Sequence, residues 1–260
     1  MPVDRALFTS NFSEHGAPNW PCMTCRGGHL RLLPDSITHR DTAASIKASE
    51  HEAHEQEWDE FRGVAIVVCD NPKCKEPATI MAEGKWHEEN DWHRQEIYYT
   101  AYFQPTHFCP SPPLIDVPAD CPAAAHAEIK LAFVSSWGDP AAAANHIRTA
   151  VERILDARRI PKMITRATGR KRIPLHDRIE LLKTSQSDAY AALMAIKWLG
   201  NAGSHTDELS REDVFKAFDI LEVALHDLYV GHAKKISRLI ASINTLKGPP
   251  KGKRRVPSSS

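Results

Sequence analysis

Apolar positions fall into two patterns that divide the chain. Before residue 105 they gather in short runs. Residues 61–68 are compact and rich in β-branched side chains, and residues 96–103 are rich in aromatics, so both predict strands. From residue 123 onward the apolar positions recur at intervals of three and four. Asp139 before Pro140 marks a helix start, with Ile147, Ala150, Val151, Ile154 and Leu155 as the stripe behind it. Ser210 and Asp213 resemble a capping arrangement, and Val214, Phe218, Leu221, Leu225 and Leu228 then repeat at helical spacing. With residues 123–137, 175–199 and 236–243 added, about five helices are expected, and an antiparallel bundle is the economical way to bury their stripes. The polar, acidic stretch 42–60 has helical composition but little apolar face, which reads as an inserted, solvated helix.

Prolines mark the boundary between the two patterns. Pro105, Pro110, Pro112, Pro113, Pro118 and Pro122 punctuate a segment that continues neither a helix nor a central strand. The expected organisation is therefore α+β. Residues 1–104 form a small β-rich, zinc-ribbon-like module with the inserted acidic helix, 105–122 a proline-rich connector, 123–246 an all-α antiparallel bundle, and 247–260 a basic tail. That tail, rich in glycine and proline, cannot bury apolar area and is expected to be disordered.

Charge sharpens this division. The formal net charge is zero, yet residues 1–120 carry 10 Lys/Arg against 19 Asp/Glu and residues 121–260 carry 23 against 14. A basic half joined to an acidic half suggests separate modules, the basic one suited to a polyanion; alternatively the halves neutralise one another across an interface. At 42% hydrophobic residues the chain has enough apolar material for real cores. No apolar run approaches the length of a membrane span, and Met-Pro-Val-Asp-Arg at the start has no secretory core, so a cytoplasmic protein without membrane contact is expected.

Cysteine placement gives the first candidate chemistry. Cys22 and Cys25 form a Cys-x2-Cys pair followed by Gly27 and Gly28, and Cys69 and Cys74 form a Cys-x4-Cys pair directly after the run ending at Val68. Paired thiolates on tight turns, with glycine letting backbone amides approach the sulfurs, suit zinc; four of them leave no open position, so the expected ion is structural. Disulfides are the competing use, disfavoured where no signal peptide precedes the chain. The four-residue spacing of the second pair leaves His29, His87, His93 and Cys109 as replacement ligands, with Cys109 and Cys121 otherwise unassigned.

Two features of the basic half invite a functional reading. Tyr190, Leu193 and Met194 define an apolar helix face, and helical counting carries that face to Lys197, Asn201 and His205. The bland account is a turn at a helix end, with Gly200 and Gly203 as poor helix formers and with Asn201 and His205 hydrogen-bonded locally; it weighs somewhat more than a site. The second feature is the run from Arg158 to Arg172. Arg158, Arg159, Lys162, Arg166, Arg170, Lys171 and Arg172 occur with no acid among them. Such a loop can neutralise phosphates, but it has no aromatic residue on which to stack bases. A solvated basic loop is the alternative.

The sequence resembles the bacterial domain family of unknown function 4145, of the HEPN superfamily of nucleic-acid-associated helical domains. The resemblance covers residues 105–230 and is carried by Ile115-Asp116-Val117-Pro118, the helix holding Glu128 to Phe133, the stretch from Pro140 to Leu155 with Arg148 and Glu152, and Gly200-Asn201-x3-His205. It implies a bundle that forms a homodimer, for which a zinc-like module in front is a frequent companion. Active HEPN ribonucleases carry an arginine separated from the histidine by four to six residues. Here Gly200 stands five before His205, and the nearest upstream cation is Lys197, which lacks the planar fork of arginine.

Two function classes follow. One is a zinc-stabilised HEPN-like module that binds RNA, DNA or a protein partner, for example in a bacterial defence or stress system. The alternative is a metal-independent ribonuclease effector in which His205 acts as general acid or base and Lys197 and Asn201 stabilise charge on the phosphoryl oxygens.

Overall fold

The computed structural model describes residues 4–91, 95–166, 169–183, 187–205, 209–230 and 232–247; at residues 166, 187–188, 201–205 and 232–238 it describes the backbone alone. The fold is mixed, with a curled antiparallel sheet in the N-terminal part and helices in the C-terminal part. After a short helix α1 (Arg5–Thr9) come β1 (Leu30–Leu32), β2 (Thr38–Asp41), α2 (Ala43–Ala48), a 3-10 turn (Gln56–Trp58), β3 (Glu60–Cys69), β4 (Pro77–Asp91) and β5 (Glu96–Cys109). Both β1 and β2 pair with β3, which pairs with β4, which pairs with β5, all antiparallel.

Period-two alternation puts one side of this sheet inside. Phe61, Ala65, Val67 and Cys69 on β3 and Ala78, Ile80 and Ala82 on β4 are buried. Gly84 lies opposite Phe61, and a Cβ there would collide with the Phe61 ring, so glycine permits the inner aromatic layer to press on the sheet backbone. Pro105 sits within β5, which runs five residues, 105–109, into the stretch that proline content alone reads as connector. It is tolerated because β5 is an edge strand and because the register with β4 shifts between Met81 and Ala82, a bulge at which Pro105 pairs with Ala82.

The helical part holds α3 (Ala123–Ser135), α4 (Pro140–Ala157), α5 (Leu175–Glu180), α6 (Ser187–His205), α7 (Arg211–Leu225), a π-helical segment (His226–Val230) and α8 (His232–Leu246). The expected starts of α4 and α7 are borne out. Asp139 accepts from the Ala142 amide at 2.8 Å, and Ser210 and Asp213 form a complete capping box. Ile147, Ala150, Val151, Ile154 and Leu155 are all fully buried. No helix among the described residues is long and apolar enough to cross a membrane.

Three sequence expectations change. The single helix expected over 175–199 is two, α5 and α6, because the second begins afresh at Ser187. The basic run is not an irregular loop: β6 (Met163–Arg166) and β7 (Gly169–Arg172) make a hairpin with Arg166 opposite Gly169, the latter at φ 109°, where a glycine carries no steric cost. The acidic stretch 42–60 is helical over only the six residues of α2, capped by Thr42, and the 3-10 turn.

Sheet and helices share one apolar core. Trp137, just past α3, packs on Phe8, Trp20 and Phe108 at ring distances of 5.4, 6.3 and 5.3 Å. Its indole donates to Ser111 Oγ at 2.9 Å. Arg5 of α1 pairs with Glu212 and Asp219 of α7 at 2.9 and 3.0 Å, and Arg211 donates to the carbonyls of Phe8 and Trp137. The proline-rich segment is itself packed: Leu114, Ile115, Val117 and Cys121 are buried.

Candidate metal centre

The two cysteine pairs occupy matching turns. In the first, Cys22 and Cys25 are followed by Arg26 at φ 53°; in the second, Cys69 and Cys74 are followed by Lys75 at φ 55°. This left-handed residue turns the chain so that the next amide faces the sulfur behind it. The amides of Gly27, Asn71 and Glu76 bond the sulfurs of Cys25, Cys69 and Cys74, in each case two residues back. Cys22 N donates to Gly28 O at 2.9 Å and closes the first turn, while the bonds from Asp70 N to His29 O at 2.9 Å and from His29 N to the Asp70 carboxylate at 2.8 Å clamp it on the second. Gly28 is where the turns touch, since a Cβ there would lie 2.6 Å from Cys69 Sγ.

The result brings all four sulfurs within 4.8 Å of one another, a cluster that could hold a metal ion. Cys22 and Cys74 sulfurs lie 3.8 Å apart and those of Cys25 and Cys69 3.6 Å apart, well beyond a disulfide bond of about 2.05 Å. A tetrahedron with metal–sulfur bonds of about 2.3 Å has edges of about 3.8 Å, so the spacing suits four thiolates around one ion. The side chain of Asn71 adds a donor to Cys25 Sγ at 3.5 Å. Cys22 and Cys69 are buried and Cys25 and Cys74 half-buried.

Electrostatics explain why four thiols here call for a cation. The Gly27 amide, aided by Cys69 and Asn71 and opposed by burial, draws the Cys25 thiol down to about 6, whereas burial pushes Cys69 up to about 12. One sulfur ionises readily and its neighbour resists doing so; a divalent ion at the centre removes that conflict by replacing the protons. The other thiols and imidazoles lie elsewhere. His29, His87 and Cys109 are exposed and outside the cluster, His93 lies outside the described residues, and Cys121 is buried, its thiol raised to about 11 by burial.

In the helical part the residues singled out on α6 separate. The buried line of α6 runs through Ala189, Leu193, Ile196 and Gly200, so Lys197 stands at its margin, half-buried, with its ammonium 3.2 Å from the centre of the exposed Trp198 ring. The backbones of Asn201 and His205 belong to α6; their side chains lie outside the described residues. Gly200 faces α4: a Cβ there would sit 3.6 and 3.8 Å from Cβ and Cδ of Arg148. Sequence counting missed this neighbour because it comes from a helix more than fifty residues earlier.

The basic hairpin is partly neutralised from α4. Arg172 pairs with Glu152 at 3.2 Å and Lys162 with Asp156 at 2.7 Å; Asp156 also holds the buried Arg178 at 2.8 Å. Arg158 is half-buried, while Arg159, Arg170 and Lys171 are exposed. The side chain of Arg166 lies outside the described residues. Five cations of the run, Arg159, Lys162, Arg170, Lys171 and Arg172, thus lie at the surface, two of them paired with α4, and Arg158 lies beside Tyr229.

Fold and cluster together define a mixed protein in which an antiparallel sheet carrying a four-thiol centre shares its core with a set of helices. The family model of DUF4145, a domain of unknown function, matches residues 130–245, which supports the resemblance read from the helical half; that of DUF8608, a second domain of unknown function, matches residues 10–108, the stretch holding the sheet and all four clustered cysteines. No curated protein and no solved structure matches the chain.

Proposed function

We propose that this is a zinc-stabilised, HEPN-like module that binds nucleic acid through the β6–β7 hairpin. One observation carries the reading: seven cations fall within fifteen residues, without an acid, and the two-stranded ribbon in this run turns Arg170 and Lys171 to solvent, with Arg159 exposed just ahead of it. A ribbon of this kind grips phosphates without reading bases, so affinity for single-stranded RNA and for DNA falls steeply with salt. The zinc is structural, held by Cys22, Cys25, Cys69 and Cys74, and its part is to fix the sheet against which the helices pack. The test is fluorescence anisotropy with labelled oligonucleotides from low to high salt. Arg170→Glu with Lys171→Glu weakens binding by about tenfold or more and lowers the salt slope by about two; unchanged affinity and slope would exclude the hairpin.

A second reading, a metal-independent ribonuclease using His205, is favoured by the packing of Arg148 on Gly200. That contact brings an arginine from α4 to the turn of α6 where the HEPN motif would have its own, so Arg148 could take over the phosphate contact that Lys197 makes poorly. Cleavage of RNA in chelator, abolished by His205→Ala and reduced by Arg148→Lys with folding intact, would support it. Wild-type protein that leaves varied RNA substrates uncut would exclude it.

A further inference from the structure

The acid excess of the N-terminal half is concentrated in one place. Residues 50–60 hold six acids and no Lys or Arg, and residues 83–96 hold five acids against Lys85 and Arg94, so these two stretches account for the whole imbalance of residues 1–120. The fold brings them together. The pairing of β3 with β4 stops at Glu60 opposite Lys85, and beyond it β4 and β5 continue as a two-stranded arm from Trp86 opposite Ala101 to Asp91 opposite Glu96. The 3-10 turn at 56–58 lies along the β4 side of that arm, with the Glu88 amide donating to Glu57 Oε1 at 3.3 Å. Burial first, then Glu88, Glu57 and Glu55, raise the Tyr99 hydroxyl above its ordinary range, which places acids from both stretches around one ring.

The two edges of the arm differ. Glu57 covers part of the β4 edge, but β5 is the last strand of the sheet, and along its outer edge the described residues pair only at Phe103, which exchanges both backbone bonds with Phe12 at 2.8 and 2.9 Å. Period two then directs the N–H and C=O groups of Ile97, Tyr99 and Ala101 to the same open side. Apolar surface accompanies this open backbone: Ile97 is 62% exposed, Tyr98 44% and Tyr99 36%. Acids interleave with these side chains, and Glu89 is fixed among them by the Tyr98 and Tyr102 hydroxyls at 2.7 and 2.8 Å.

We propose that the outer edge of β5 from Glu96 to Tyr102 is a docking site for an extended, Lys/Arg-rich protein segment, which adds to the sheet as a further strand. Three features fit one occupant. Unpaired backbone groups offer ladder hydrogen bonds, the carboxylates of Glu88, Glu89 and Glu96 match its charge, and Tyr98 and Tyr99 offer ring faces and apolar area to the stems and heads of lysine and arginine. Acidic side chains also guard edge strands against pairing with their own kind. Here they reject an acidic or neutral strand while admitting a cationic one, which makes the site selective. The surface is distinct from the basic hairpin and stands whether or not that hairpin binds nucleic acid.

The experiment uses the full chain and a fluorescein-labelled peptide of alternating lysine and valine, with a glutamate–valine peptide as control, read by anisotropy. Saturable binding of the cationic peptide alone is expected. Glu88→Lys with Glu96→Lys should weaken it by about tenfold or more. Ile97→Pro, which removes only an outward-facing donor, should weaken it by several-fold, on the order of one hydrogen bond, with the metal content unchanged. Absence of binding overturns the proposal. So does binding that charge reversal abolishes but Ile97→Pro leaves untouched, because that would be attraction to the acidic surface without strand addition.

Discussion

In the sheet half the closest approaches are set by sulfur and glycine, whereas in the helical half they are set by alanine and branched apolar side chains. Gly28 allows two turns to meet over Cys69, and Gly84 allows Phe61 to press on a strand. In α4, by contrast, Ala143, Ile147, Ala150, Val151, Ile154 and Leu155 bury completely as one apolar stripe. Between α1 and β1 the sheet half runs through residues 10–29 without helix or strand, so the order of this stretch depends on what ties the cysteine turns together. The helical half is ordered by stripes that any amphipathic helix can supply. One half is thus expected to respond to metal and the other to volume.

The largest expected effect is metal removal. Cys69→Ser, or a strong chelator, deletes a centre whose binding contributes folding free energy, about 10–16 kcal/mol in small zinc-dependent peptides. The expected outcome is loss of bound metal by elemental analysis and loss of the near-ultraviolet signal of Trp20, while most helical circular dichroism survives. Gly28→Ala should reproduce a milder form, with metal affinity lowered about 10–100-fold, because Cys69 must move. If the helical signal collapses together with the metal, the halves are one cooperative unit and the contrast drawn above fails.

Trp137→Ala tests the same contrast from the other side. Its ring is buried against Phe8, Trp20 and Phe108, which makes it the joint between helices and sheet. Truncation should cost about 3–5 kcal/mol by denaturant unfolding, with bound metal retained. Two separate unfolding transitions in place of a single one are expected if Trp137 is the main joint; one retained transition would show that Phe8 on Phe215 at 6.2 Å and the bonds of Arg5 and Arg211 hold the halves together.

The helical half and the cysteine turns were legible in sequence for the same reason: their signals are local. Asp139 and Ser210 announce caps within three residues, and each cysteine pair lies within six. The long arm of β4 was not legible. Residues 87–91, His-Glu-Glu-Asn-Asp, are polar on both faces, so no alternation marks a strand that is held by cross-strand pairing with β5 alone. The β6–β7 hairpin hid behind its charge, although Met163, Ile164 and Thr165 ahead of Gly169 are a strand-and-turn signal. Pro105 misled in the other direction, because a sequence does not reveal which strand will be an edge. The packing of Arg148 on Gly200 depends on how α4 crosses α6, and no periodicity within either helix carries that information.

Asp156 gives a pH-dependent test confined to the helical half. Burial alone would raise its carboxyl, but Lys162 and Arg178 together bring it below the ordinary aspartate range. A depressed value contributes stability that is fully present above the unfolded pKa of about 3.9 and is lost as pH falls through the lower folded value. Asp156→Asn should therefore cost about 3 kcal/mol at neutral pH, leaving the Arg178 guanidinium buried with only the Ile160 carbonyl at 3.0 Å, and the difference from wild type should shrink below about pH 4. A difference that stays constant with pH would show that the charge of Asp156 contributes little.

The smallest effects come from one substitution made at a helix cap in each half. Asp139→Ala removes the acceptor of the Ala142 amide at the head of α4, whose eighteen residues form much of the core, and should cost about 1 kcal/mol in global stability. Thr42→Ala removes the acceptor of the Ser45 amide at the head of the six-residue α2, but Ser45 keeps its own bond to the Glu60 carbonyl at 2.9 Å and so stays tied to β3. If the metal and the sheet fix the N-terminal half, the loss at Thr42 should be local, seen as faster amide exchange in α2 with a midpoint unchanged within about half a kcal/mol. A global loss at Thr42 equal to that at Asp139 would mean that α2 is integral to the sheet, and that the N-terminal half too depends on helix formation for its stability.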